Sequence, residues 1–210
     1  MSEFSKADEG FMRRAIELAK ARMGLTWPNP AVGCVIVKDG EIVAEAATAD
    51  GGRPHAEEQA VPEAGDKAQG ATAYVTMEPC GARSSGRTSC SSFLLGAGVA
   101  RVVMACLDPS PFASGRGTQK LRNAGLQVEW GLLESEAAVL YEGYLHRVET
   151  GRPMVRISAD GEGFDARFAA SAKADLETEL TRLSEAGYTR LWTPPGPLAD
   201  ALIEQGLLSA

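Results

Sequence analysis

The spacing of apolar residues changes period several times along the chain, and each change predicts an element. Between Ala7 and Met23, the residues Phe11, Ala15, Leu18 and Ala19 recur at helical spacing, with Asp8 and Glu9 near the start and Gly24 as a stop. An amphipathic opening helix is predicted there. The two prolines of TWPNPAVG forbid further helix and fix an extended or turn geometry. AVGCVIV, KDG and EIVAEA then read as strand, tight turn and strand, a hairpin whose first arm is mostly buried. HAEEQAVPEAGDKAQG has the pattern of a helix that Pro62 kinks or ends early by removing a hydrogen bond. ATAYVTM, RVVMACLD and LQVEWGLL read as strands, and SSFLLGAG, GRGTQKLRNAG and ESEAAVLYEGYLHRVETG as helices.

Because strands and helices alternate over the first ~150 residues, an α/β layer structure with a sheet between helices is expected. Within those strands Cys34 and Cys106 read as small core residues. After Arg152 the pattern gives a strand, a helix through SAKADLETELTRLSEAG, a strand at TRLWT and a short helix at LADALIEQGLL. This predicts a small C-terminal α/β appendage, with the chain divided into 1–151 and 152–210.

Composition narrows the chemistry. A chain of 210 residues with 44% hydrophobic content supports one good core with an appendage. The opening MSEFSKADEG has no apolar stretch long enough for a signal peptide or a membrane span, so a cytoplasmic protein is expected. In a reducing compartment the four cysteines are then core residues or metal ligands rather than bridges. A net charge of -7 argues against broad binding to nucleic acid or to an anionic membrane, since both need a basic face. Any anionic ligand must be held by local charge, and arginine is clustered at Arg83 and Arg87.

Three short pieces carry a possible reaction: His55-Ala56-Glu57, Pro79-Cys80 and Cys90. One histidine and two thiolates make three protein ligands for Zn2+ and leave a fourth position open, which is the arrangement of a catalytic rather than a structural site. Glu57, two residues past the histidine, can face that open position as general acid and base without being a ligand. Each piece alone is weak, because HAE occurs in many helices and strand-end cysteines are commonly inert. In this order, with a strand before the proline, they point to a zinc deaminase. Helix N-termini at His55 and Cys80 are expected to favour the anionic thiolate. His146, in the last long helix, reads as a surface or structural residue.

Beyond these pieces, Asn29-Pro30 with Val32-Gly33, the run Gly52 to Glu57, the run Tyr74 to Cys80, Gly86-Arg87-Thr88, Cys90 and the run Asp108 to Pro111 resemble the pyrimidine deaminase domain of bifunctional riboflavin-biosynthesis deaminase/reductases. The resemblance runs from the first helix to about Gly151. It is specific, because most cytidine, adenosine and guanine deaminases have the cysteines as PCxxC, whereas here Gly81 to Ser89 intervene.

The resemblance implies a three-layer α/β/α cytidine deaminase-like fold with a central mixed sheet. It implies zinc held by His55, Cys80 and Cys90, with Glu57 catalytic. The substrate it implies is a diaminopyrimidinone carrying a ribosylamino 5′-phosphate, deaminated hydrolytically to the aminouracil. By the same resemblance Asn29 would hold the pyrimidine, Asp108 and Ser110 would lie near the ribose, and Arg83, Arg87 and Thr88 would meet the phosphate. The chain departs from the family at three places. The cysteine loop is one residue longer and lacks the usual histidine, Thr48 stands where a histidine is common, and DPNP is here DPSP. All three touch the substrate pocket and leave the metal residues alone.

The tail also resembles the reductase half, in pieces. RPMVRISADGEG is similar to its start and GYTRLWTPPGPLADALIEQGLLSA to its closing strand and helix, with the middle missing. No reductase activity is expected, and a separate reductase is the partner such a pathway then needs. A homodimer is expected. Two rival readings remain in play: a deaminase of another nucleobase or modified pyrimidine, and a catalytically silent zinc-binding subunit. The intact Glu57 speaks against the second.

Overall fold

The computed structural model describes residues 4–83, 86–110 and 113–209. They form two units, Met1–Thr26 with Ala31–Leu140, and Trp27–Pro30 with Tyr141–Ala210.

In the first unit helix α1 spans Lys6–Lys20. Ser5 and Asp8 cap it reciprocally: the Asp8 amide donates to Ser5 Oγ at 3.1 Å and the Ser5 amide donates to Asp8 Oδ2 at 2.8 Å. Strands β1 (Gly33–Lys38) and β2 (Glu41–Ala47) form the expected hairpin. Its turn residues Asp39 and Gly40 both have positive φ, 52° and 82°, which matches the twist of the flanking strands. Helix α2 (Ala56–Ala64) follows, then β3 (Thr72–Met77), α3 (Cys90–Gly96), β4 (Arg101–Cys106), α4 (Arg116–Asn123) and β5 (Gln127–Trp130). Pro62 ends α2 early: the helix stops two residues on, at Ala64, and the chain tightens into a 3-10 turn at Gly65–Ala68.

The sheet runs in the order β2-β1-β3-β4-β5, with β1 antiparallel to β2 and β3, and β3, β4 and β5 parallel. It is therefore mixed, as expected. Cys34, Ile36, Val75, Val102 and Met104 pack on one face with Ala56 and Ala60 of α2, Leu94 of α3 and Leu121 of α4. The alternate residues face α1, where Tyr74 meets the Phe11 ring at 5.3 Å and its hydroxyl donates to Asp8 at 2.6 Å. Helices thus cover both faces, which gives the three layers. Cys34 and Cys106 are both buried, as their strand positions predict.

Helix α5 spans Glu134–Thr150. In the second unit β6 (Met154–Ile157), β7 (Ala166–Arg167), α6 (Leu176–Glu185), β8 (Arg190–Thr193) and α7 (Pro197–Glu204) form a parallel sheet in the order β6-β8-β7 with two helices. Its core is Val155, Phe168, Leu176, Leu180, Leu191 and Leu202. The sequence pattern predicts two strands here and the structure has three. Strand β7 is two residues long, too short to show a period, and it is fixed beside β8 by Asp165, whose carboxylate accepts from the Thr189 and Arg190 amides at 2.7 and 2.8 Å. His146 is half-buried, with its Nε2 3.5 Å from Ser209 Oγ. No helix among the described residues is long and apolar enough to cross a membrane.

Candidate metal centre

Three segments of the first unit deliver the candidate ligands. His55 is the residue that caps the start of α2, and its amide donates to Glu58 Oε2 at 2.8 Å. Cys80 lies in the loop just past β3, and Cys90 is the first residue of α3. The expectation of a helix start at Cys80 is corrected here: the second cysteine holds that place, because Ser89 supplies the cap. The Cys90 amide donates to Cys80 Sγ at 3.3 Å and the Ser91 amide to the Cys80 carbonyl at 3.2 Å, so backbone bonds tie the two cysteines together.

The ligand atoms of His55, Cys80 and Cys90 lie within 4.8 Å of one another, with His55 Nδ1 3.2 Å from Cys90 Sγ. A tetrahedral zinc ion with bonds of about 2.0–2.3 Å sets its ligand atoms roughly 3.5–3.8 Å apart, so the trio has the span and the donor types that zinc takes. Of the two thiols, Cys80 is held well below the usual range, chiefly by its hydrogen bond with Cys90 and further by His55 and Arg83, against burial. Cys90 moves the other way, because Cys80, burial and the nearby Glu57 carboxylate all disfavour its anion. Cys80 is thus the first to ionise, and a bound cation displaces the remaining proton.

Glu57 is 2% exposed and sits in the field of all three ligands. Burial pushes its carboxyl up, opposed by His55 and reinforced by Cys80. The fully buried Cys34 thiol, raised by burial and by Glu57, lies behind it in the core. A carboxyl whose hold on a proton is strengthened in this way, beside an open metal position, is equipped to take up and return a proton.

The remaining expected residues divide. Arg83, expected near the phosphate, has a side chain that is 2% exposed, and its guanidinium binds Glu58 Oε1 at 2.7 Å and Cys90 Sγ at 3.5 Å. Thr48 is also committed inside the protein, since its hydroxyl accepts from the Val32 amide at 3.0 Å at the end of the hairpin. Arg87 and Thr88 are exposed. Asp108 and Ser110 form a tight buried turn, in which Asp108 accepts from the Ser110 amide at 2.8 Å and from its hydroxyl at 3.0 Å. Burial raises the Asp108 carboxyl, with Glu78 and Cys80 adding to the effect, so this turn lies within electrostatic reach of the metal loop. Asn29 lies in the Trp27–Pro30 segment of the second unit.

Two carboxylates escaped the sequence reading. Glu58 was legible as a residue three past the cap, the position of a reciprocal helix cap, but nothing signalled its ion pair with Arg83. Glu78 is buried and accepts from the Gly115 amide at 3.1 Å, the Thr118 amide at 3.0 Å and the Thr118 hydroxyl at 2.9 Å. It caps α4 from another element, which no local pattern reveals.

Comparison with known proteins fits this geometry. Residues 5–106 match the cytidine and deoxycytidylate deaminase zinc-binding region, which places the chain in the class of zinc-binding deaminase folds. The riboflavin biosynthesis protein RibD of Escherichia coli is 49% identical over 166 residues, 79% of this chain and 44% of that protein. The chain spans less than half the length of this curated relative. Among solved structures, RibD of Acinetobacter baumannii superposes with a TM-score of 0.79 at 29% identity, covering 97% of this chain and 85% of that one. A diaminohydroxyphosphoribosylaminopyrimidine deaminase/5-amino-6-(5-phosphoribosylamino)uracil reductase from Thermotoga maritima gives 0.80 at 25% identity, covering 95% and 84%. The matched part of the chain is a RibD-type riboflavin deaminase domain of the cytidine deaminase zinc-binding family.

Proposed function

We propose that the chain carries out the deaminase step of riboflavin biosynthesis: hydrolytic removal of the exocyclic amine from a diaminohydroxyphosphoribosylaminopyrimidine. One water is consumed, ammonia leaves, and the ring carbon keeps a carbonyl, giving 5-amino-6-(5-phosphoribosylamino)uracil. The observation that carries this reading is the buried Glu57 beside three zinc ligands. A purely structural zinc centre closes with four protein ligands and has no use for a carboxylate over an open position. The Thermotoga relative of the same fold bears this reaction in its name.

His55, Cys80 and Cys90 would hold zinc, whose contribution when bound is Lewis-acid activation of a water nucleophile. Glu57 accepts the proton released as the nucleophile forms and delivers it to the ring nitrogen; it then takes the proton of the added hydroxyl as the carbonyl forms and passes it to the departing amine, which leaves as ammonia. Its raised carboxyl suits both directions of transfer. Arg87 and Thr88, exposed in the cysteine loop, are the groups left to meet the 5′-phosphate, the arginine through charge-assisted paired hydrogen bonds. Asp108 and Ser110, by the family resemblance, are assigned to the ribose.

We read the second unit as a shortened relic of the reductase half. Three short parallel strands with two helices provide too little sheet for a dinucleotide crevice with helices on both faces.

Ammonia release from the phosphorylated pyrimidine by zinc-loaded protein, run beside Glu57→Ala of equal zinc content, tests the reading. Release confined to the wild type supports it, and no release from a wild type holding one zinc overturns it. Oxidation of reduced nicotinamide cofactor in the presence of the deaminated product would overturn the reductase-free assignment.

A further inference from the structure

A buried arginine that touches a metal-ligand sulfur needs its own account. Arg83 has a side chain only 2% exposed, and it reaches Glu58 with one terminal nitrogen at 2.7 Å and Cys90 Sγ with the other at 3.5 Å. Glu58 in turn accepts from the His55 amide at 2.8 Å with its second oxygen. Cys90 closes the ring by donating its amide to Cys80 Sγ. All three ligand-bearing segments are therefore joined by a circuit of hydrogen bonds outside the metal position, and Arg83 is the member that spans from α2 to α3.

The charges explain why a cation belongs there. Two thiolates already neutralise a divalent ion, and the buried Glu57 adds a further negative group beside it. A guanidinium cannot lose its proton in a protein, so it offers a fixed positive charge at that point. Donation of an N–H to a ligand sulfur withdraws electron density from it, and a partner of this kind both orients the ligand and tunes the metal.

We propose that Arg83 is a positioning residue for the zinc centre, acting as the internal counter-charge of the Cys90 sulfur while it locks the cysteine loop to the first turn of α2 through Glu58. It sets how tightly the site holds its metal and how electron-rich the Cys90 donor is. The inference rests on the zinc-deaminase reading for its metal and is independent of the substrate. It also removes Arg83 from the phosphate contacts.

The full chain is tested with two readouts that need no substrate: zinc affinity by chelator competition, and the sulfur-to-cobalt charge-transfer band of the cobalt-substituted protein. In Arg83→Met, zinc affinity is expected to fall by roughly 10–100-fold, the usual effect of losing such a partner, and the band to move to lower energy as the sulfur becomes more electron-rich. Arg83→Gln, which keeps polar donors without the charge, is expected to shift the band in the same direction and serves if the methionine variant does not fold. A variant that folds with unchanged affinity and an unmoved band overturns the proposal. Failure of both variants to fold, with no rescue by zinc, also overturns it, since Arg83 would then be a structural clamp. No ammonia release from the zinc-loaded wild type, with both readouts as expected in the variants, would instead count against the proposed substrate.

Discussion

Gly117, in the first turn of α4, approaches the Pro79 carbonyl so closely that a β-carbon on it would overlap that oxygen. A β-carbon on Gly81 would in turn stand 2.7 Å from the Gly117 amide nitrogen. The backbone on either side of Cys80 is therefore pressed directly against α4, and only glycine permits it.

Gly117→Ala should accordingly move the metal loop. The expected cost is about 1–3 kcal/mol of stability, typical of overpacking, together with weaker zinc binding. Thermal unfolding and zinc stoichiometry of the purified variant measure both. A variant that holds zinc as the wild type does would show that α4 can retreat without the loop.

Glu78→Ala removes the acceptor for the Gly115 and Thr118 amides. Donors left without partners in a buried place cost about 1–3 kcal/mol, and denaturant unfolding should show that loss. Glu78→Gln, which keeps one acceptor, should lose less. Equal losses in the two variants would place the effect in the charge rather than in the cap.

Glu57→Gln separates stability from function. Burial raises the Glu57 carboxyl in the fold above its unfolded value, so its contribution to stability is fully present at acid pH and is lost as pH rises through the folded value. Metal-free Glu57→Gln is thus expected to melt higher than metal-free wild type at pH 8, with the difference narrowing as pH falls. Its deaminase rate should drop by about 10²–10⁴-fold, the range for loss of a general acid and base. A variant that melts lower than wild type at pH 8 would contradict the cost of burying this carboxylate.

Asp8 behaves in the opposite sense. Burial alone would raise its carboxyl, but Arg101, Ser5 and Tyr74 outweigh that and hold it well below the usual range. Its stabilisation is therefore complete above its unfolded value of about 4 and is lost as pH falls toward the lower folded value. Asp8→Asn should unfold more easily than wild type at pH 7 and converge with it near pH 2. A constant difference across that range would mean that the Arg101 contact contributes no charge term.

Arg87→Ala tests the phosphate assignment. Loss of a charge-assisted hydrogen bond worth about 1.5–3 kcal/mol should raise KM for the phosphorylated pyrimidine by roughly 10–100-fold with kcat little changed. The unphosphorylated nucleoside should be indifferent to the substitution. Steady-state kinetics on both compounds decide it.

Much of this was legible in the chain because the signals are local. The hairpin announces itself by alternation around Asp39-Gly40, the helices by their period, and the ligand trio by its order and residue types. What the sequence concealed comes from contacts between distant segments. Glu78 and Thr118 meet across forty positions, Asp8 meets Arg101 across ninety-three, and Arg83 turns inward to Glu58, a pairing that no local pattern announces. Strand β7 was hidden for another reason: two residues cannot display a period, and Asp165 rather than side-chain alternation fixes them.

The bonds between the cysteines have an evolutionary consequence. Because the Cys90 and Ser91 amides fasten both ends of the intervening segment to Cys80, and the helix cap at Ser89 fixes the far end, the span between them is a loop with clamped feet. Apart from Gly81, pressed against α4, and Arg83, tied to Glu58 and Cys90, residues can be exchanged between those feet without altering where the sulfurs stand. The extra residue and the lost histidine of this chain fall in that tolerant interval. Substrate preference is thus free to drift there while the chemistry is inherited intact.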